Sequence, residues 1–87
     1  MHAPGCTIVD PVYVEDGVTL ENSTIGPNVS VSSGSVIRES KLRETIVGAG
    51  THITGSRISG SLIGDNVVLE NVRGTVNIGD NSEVRCH

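Results

Sequence analysis

Between Val47 and Ile63 the chain places an aliphatic residue at Val47, Ile53, Ile58 and Ile63, with gaps of 6, 5 and 5. The gaps sum to 16, and the pattern then begins again. This spacing fits neither the turn period of an amphipathic helix nor the strict alternation of a hairpin ladder. Each gap holds one short flat strand plus one corner, so three gaps return the chain to its starting point. The segment reads as one coil of a three-sided β-solenoid, and its neighbours read as copies of it.

From Val14 the copies align in columns. A first face takes Val14, Val31, Val47, Ile63 and Ile78, spaced 17, 16, 16 and 15. A second takes Leu20, Ile37, Ile53, Leu69 and Val84, with the same spacings of 17, 16, 16 and 15. The third takes Ile25, Leu42 and Ile58; its next member falls near Gly74, and Val72 is expected to fill the missing place. Between the first and second faces one offset holds Gly17, Gly34, Gly50, Asn66 and Asn81. Gly and then Asn tolerate a left-handed backbone best, so this column predicts repeated identical corners. Two columns of small or β-branched residues are expected to point inward near corners. One is Val18, Ser35, Thr51, Val67 and Ser82; the other is Val12, Val29, Thr45, Ser61 and Val76. Asp10-Pro11 marks a corner in a first, partial coil that begins at Ile8. Residues 1–7 read as an irregular lead-in, and 8–87 as the solenoid domain.

Composition supports a narrow prism over an ordinary globule. At 87 residues there is room for one small domain, and Tyr13 is its sole aromatic residue. Stacked Val, Ile and Leu can fill a slim interior without large rings. The net charge of −4 argues against general nucleic-acid binding. No apolar run approaches the ~20 residues that span a bilayer, and no basic-then-apolar leader opens the chain. Cys6 and Cys86 sit several coils apart, beyond disulfide reach, and read as reduced thiols. A cytoplasmic location is the expectation. Neither thiol has a partner at ligand spacing, so no metal or other cofactor is expected. His87 beside Cys86 reads as a frayed end.

The segments Ile25-Gly-Pro-Asn-Val-Ser, Val47-Gly-Ala-Gly-Thr-His, Ile63-Gly-Asp-Asn-Val-Val and Ile78-Gly-Asp-Asn-Ser-Glu resemble the hexapeptide repeat. Proteins with that repeat form left-handed parallel β-helices, and the resemblance alone supplies the hand. The run from Pro11 to Val31, the turns Arg38-Glu-Ser-Lys-Leu and Thr54-Gly-Ser-Arg-Ile, and the closing segment from Ile78 to Val84 narrow the likeness. They are similar to the C-terminal domain of sugar-phosphate nucleotidyltransferases, of the glucose-1-phosphate thymidylyltransferase or mannose-1-phosphate guanylyltransferase type. Catalysis in that family belongs to an N-terminal domain with a Gly-rich loop, a signature arginine and metal-binding aspartates, none of which stands here. Glu15 departs from the family's pattern, which more often has Gly there. The resemblance implies a non-catalytic assembly domain. A homo-oligomer, with a trimer favoured, is the first expected partner, and a nucleotidyltransferase catalytic domain is the second.

Three sets of residues carry candidate chemistry. Hexapeptide-repeat acyltransferases use a histidine as general base beside a coenzyme A groove between subunits. His52 alone lies inside the repeat, so the alternative expectation is a small acyltransferase-like protein with His52 at a subunit boundary. His52 precedes Ile53 and should face outward, and no corner has spare residues for a substrate-enclosing loop. Gly48-Ala-Gly50 is no phosphate cradle, because no helix follows it. Basic residues cluster on or beside the third face: Arg38, Lys41, Arg43, Arg57 and Arg73. Lys41, Arg57 and Arg73 should stack in one outward column, either neutralised by Glu21, Glu39, Glu44 and Glu70 or left to meet an acidic partner or phosphate-bearing ligand. Finally, Ile46 and Leu62 before the first face, and Val36 and Val68 before the second, should point outward as an apolar stripe suited to subunit contact. Open strand edges at the two end coils would also need covering.

Overall fold

The computed structural model describes residues 5–86. Residues 1–4 of the expected lead-in, and His87, lie outside the described residues. The fold is all-β, a left-handed β-helix-like solenoid of about five coils. Each coil gives one short strand to each of three parallel sheets.

The first face stacks β2 (Val12–Val14), β5 (Val29–Val31), β8 (Ile46–Val47), β11 (Leu62–Ile63) and β14 (Asn77–Ile78). The second stacks β3 (Thr19–Glu21), β6 (Val36–Arg38), β9 (His52–Thr54), β12 (Val68–Glu70) and β15 (Glu83–Arg85). The third stacks β1 (Thr7–Ile8), β4 (Thr24–Ile25), β7 (Lys41–Arg43), β10 (Arg57–Ser59) and β13 (Arg73–Gly74). Register follows the aliphatic columns. Val47 pairs with Val31 and Ile63, Ile53 with Ile37 and Leu69, and Leu42 with Ile25 and Ile58. These side chains meet on the axis, where Ile25, Ile37, Val47 and Ile53 are wholly buried. Burying one such side chain contributes roughly 1.5–3 kcal/mol, so the inner coils add the most to the core, while Val14, Ile78 and Val84 at the ends are only partly buried.

The corners complete the interior. The Gly17, Gly34, Gly50, Asn66 and Asn81 column adopts φ between 55° and 78°, as its residue types predict. Glu15 fits the first of these corners, its Oε1 accepting the Ser33 N–H at 2.8 Å. Two further left-handed columns exist. Gly5, Asn22, Glu39, Gly55 and Asn71 turn the chain from the second face to the third, with φ between 47° and 66°. Asn28, Glu44 and Gly60 turn it from the third to the first, at φ 62°, 50° and 59°.

Gly74 itself keeps the third-face place in the register, and Val72 is buried in the core two residues earlier. Arg57 pairs with Arg73 and Ile58 with Gly74, so the register puts Gly74 in the Ile58 column. Val72 lies two residues earlier, beneath Ser56, and its N–H donates to Ser56 Oγ at 3.1 Å. It closes a corner column of Ser23, Ser40 and Ser56 that serves as a hydrogen-bond ladder. Ser40 Oγ donates to Arg38 O at 2.7 Å and accepts from Ser56 N at 3.2 Å. Ser23 repeats the arrangement one coil earlier, donating to Glu21 O at 2.7 Å and accepting from Ser40 N at 3.2 Å. Buried hydroxyls are tolerable only when paired, and no buried side-chain polar atom among the described residues lacks a partner.

Candidate functional site

Strand alternation fixes which residues leave the prism. On the third face Leu42 and Ile58 are buried, while Lys41, Arg43 and Arg57 beside them are exposed. Thr24 aligns with Lys41, Lys41 with Arg57, and Arg57 with Arg73, one residue per coil. Arg43 aligns with Ser59 in a second outward row. Between the rows runs an open groove of about 420 Å³, with Gly26 and Gly74 among its lining residues. Four of the five cations singled out in the sequence, Lys41, Arg43, Arg57 and Arg73, line it, whereas Arg38 stands on the second face.

Of the four glutamates available to neutralise this column, Glu21 and Glu70 are engaged elsewhere, and Glu39 makes no ion pair among the described residues. Glu21 Oε2 lies 3.1 Å from Arg38 Nε, and Glu70 Oε2 accepts from Arg85 Nε at 2.9 Å, both on the second face. Glu83 completes the second-face network by pairing with Arg85. On the third face only Glu44 approaches, at 4.0 Å from Arg43 with both side chains more than half exposed, so the pair is weak. Among the described residues no carboxylate pairs with Lys41, Arg57 or Arg73. Like charges on adjacent strands oppose folding by roughly 0.2–1 kcal/mol per pair. The column is therefore held together by the core beneath it, against its own repulsion.

The apolar stripe divides between two faces. Ile46 and Leu62 are direct partners on adjacent coils of the first face, 55% and 49% exposed. Ser30 and Tyr13 continue their outward column in one direction and Asn77 in the other. Tyr13 is 70% exposed and was legible as outward, since it alternates with the inward Val12 and Val14. Val36 and Val68 stand on the second face, two coils apart and half-buried, with His52 between them. They form no direct pair.

His52 is exposed, and no hydrogen bond or ion pair among the described residues orients its ring. The carboxylates nearest in the register, on Glu21, Glu70 and Glu83, belong to the arginine pairs. A general base needs an orienting group and an enclosed place for substrate. Neither accompanies His52, since the second face is a flat sheet bounded by short corners.

Among the described residues no group of three or more His, Cys, Asp or Glu could hold a metal ion, and no helix is long and apolar enough to cross a membrane. No family model matches the chain, and no curated protein matches it.

Proposed function

We propose that this chain is a non-catalytic assembly domain that joins copies of itself into a homo-oligomer, with a trimer as the expected form. The supporting observation is the Ile46–Leu62 pair, two large aliphatic side chains stacked on a flat face and left about half exposed. Single exposed aliphatics are ordinary, whereas registered neighbours form a patch that water disfavours. Stable subunit contacts bury about 800 Å² per partner, an area that one face of a three-sided prism exposing 4854 Å² can supply. The hexapeptide-like segments at Val47, Ile63 and Ile78 support a finer reading. The domain resembles the C-terminal β-helix of a sugar-1-phosphate nucleotidyltransferase, and in that setting it would hold catalytic domains at fixed spacing.

Mass in solution tests the proposal. Light scattering on the wild-type chain is expected to give an oligomer, and the Ile46→Lys/Leu62→Lys double variant a folded monomer. A monomeric wild type, or a double variant of unchanged mass, overturns it.

A further inference from the structure

We propose that the third-face groove binds a linear phosphate chain, with inorganic oligophosphate as the simplest example. The site is distinct from the first-face patch and requires nothing of the assembly reading. Its four cations, Lys41, Arg43, Arg57 and Arg73, line one groove, and three of them have no carboxylate partner among the described residues. Arginine guanidinium groups stay charged throughout the physiological range and bind phosphate oxygens through a planar fork of donors. The remainder of the protein is acidic, the whole chain carrying a net charge of −4. A polyanion is thus repelled by the acidic surface elsewhere and drawn to this face.

The spacing selects the class of anion. Adjacent strands in a sheet lie about 4.8 Å apart, so Lys41 to Arg73, two coils apart, spans roughly 10 Å along the axis. Lys41, Arg57 and Arg73 follow one another at that ~4.8 Å step, with Arg43 beside Lys41 in the second row. The step lies nearer the ~3.4 Å between successive charges on one nucleic-acid strand than the ~7 Å between alternate residues of an extended peptide. Carboxylates on one side of an extended peptide recur only every ~7 Å, a wider step than the column's, so they fall out of register with it. Bases or sugar rings would call for an aromatic platform, and the chain's one aromatic ring, Tyr13, stands on the first face. A flexible chain with one charge per unit and no rings satisfies the array. The open groove, with glycines among its lining residues, gives such a chain room to lie along the axis.

Amide chemical shifts and thermal melting of the full chain test this with tripolyphosphate, orthophosphate and an oligoglutamate of matched charge. Tripolyphosphate is expected to move the amides of residues 41–43, 57–59 and 73–74 and to raise the melting temperature, because it binds the folded state. It should bind about tenfold or more tighter than orthophosphate, through simultaneous contacts along one chain. Arg57→Gln, at an exposed site, should weaken binding about tenfold, while Arg85→Gln on the second face leaves it unchanged. The proposal is overturned if tripolyphosphate shifts no third-face amides, if orthophosphate or oligoglutamate binds as tightly, or if Arg57→Gln binds like the wild type. Retained dispersion of the amide spectrum shows that each variant is folded.

Discussion

The Asp65 carboxylate lies over Gly48, its Oδ1 accepting the Ala49 N–H at 2.8 Å from one coil to the next. A Cβ at position 48 would overlap that oxygen and would stand 2.5 Å from the Gly64 carbonyl oxygen. Gly64 is placed in the same way beneath Asp80, which accepts the Asp65 N–H at 2.8 Å. At Gly79, the same position of the next coil, nothing lies within 4 Å of an added Cβ. None of these three glycines has a left-handed φ, so sterics alone separate them. Gly48→Ala and Gly64→Ala should each lose about 1–3 kcal/mol through overpacking. Gly79→Ala should gain about 0.4–1 kcal/mol by restricting the unfolded chain. Urea midpoints of the three variants check the contrast, which disappears if all three move alike.

The Ser23–Ser40–Ser56 ladder gives a second prediction. Ser40 is 2% exposed and its hydroxyl is the acceptor for Ser56 N. Ser40→Ala leaves that buried N–H unpaired, and Ser56→Ala does the same to Val72 N. Each should lose about 1–3 kcal/mol, the cost of an orphaned buried donor. Arg85→Ala, by contrast, removes two exposed ion pairs, to Glu70 and Glu83, and should lose about 1 kcal/mol. Chemical denaturation ranks them, and a larger loss for Arg85→Ala would refute the ladder's structural role.

The aliphatic columns were legible because a solenoid repeats one burial pattern, so Val47, Ile53 and Ile58 announce their own partners one coil away. The first left-handed column was legible for the same reason, being all Gly and Asn. The other two were obscured by Glu39 and Glu44, which adopt positive φ without the usual residue type. Gly5, Asn22, Gly55 and Asn71 mark the Glu39 column at an equivalent offset and could have exposed it. Gly74 keeps its place in the backbone register, and Val72, buried two residues earlier, contributes an aliphatic side chain to the core there. The cation cluster could be read from strand parity. The fate of two candidate counter-charges was legible too, since Glu21 and Glu70 follow Leu20 and Leu69 and so stand opposite Arg38 and Arg85 in the second-face register.

Glu39 yields a third prediction. Its φ of 49° is unfavourable for a side chain of its type, and no ion pair compensates. Left-handed backbone costs a non-glycine L-residue roughly 1–2 kcal/mol, less for Asn, whose short side chain bonds locally. Glu39→Asn, matching Asn22 and Asn71 in its column, should therefore stabilise the fold by about 0.5–1 kcal/mol. For a domain of this size that corresponds to a rise of roughly 2–8 °C in Tm. An unchanged or lowered Tm would mean that the corner carries no strain at this position.

His52 supplies a negative expectation with a direct assay. With no group orienting its ring and no loop enclosing it, His52→Ala should leave stability within about 0.5 kcal/mol of the wild type, as for an exposed site. Acetyl-coenzyme A is expected not to bind the wild-type chain in calorimetry. Binding that His52→Ala abolishes would restore the acyltransferase reading.

The last prediction couples the two proposed faces. The first-face pair Ile46–Leu62 and the third-face groove share no residue, so assembly and anion binding should be separable. Variants at sites without shared partners act independently to within about 0.3–0.5 kcal/mol. Arg57→Gln should accordingly keep the wild-type mass, and Ile46→Lys/Leu62→Lys should keep tripolyphosphate affinity per chain within about twofold. A fall in mass for Arg57→Gln would place the third face inside the subunit contact. Loss of affinity in the folded monomer would mean that the groove is completed by a second copy. Either result joins the two functions at one surface, and the flat-faced geometry of Lys41, Arg57 and Arg73 argues for their separation.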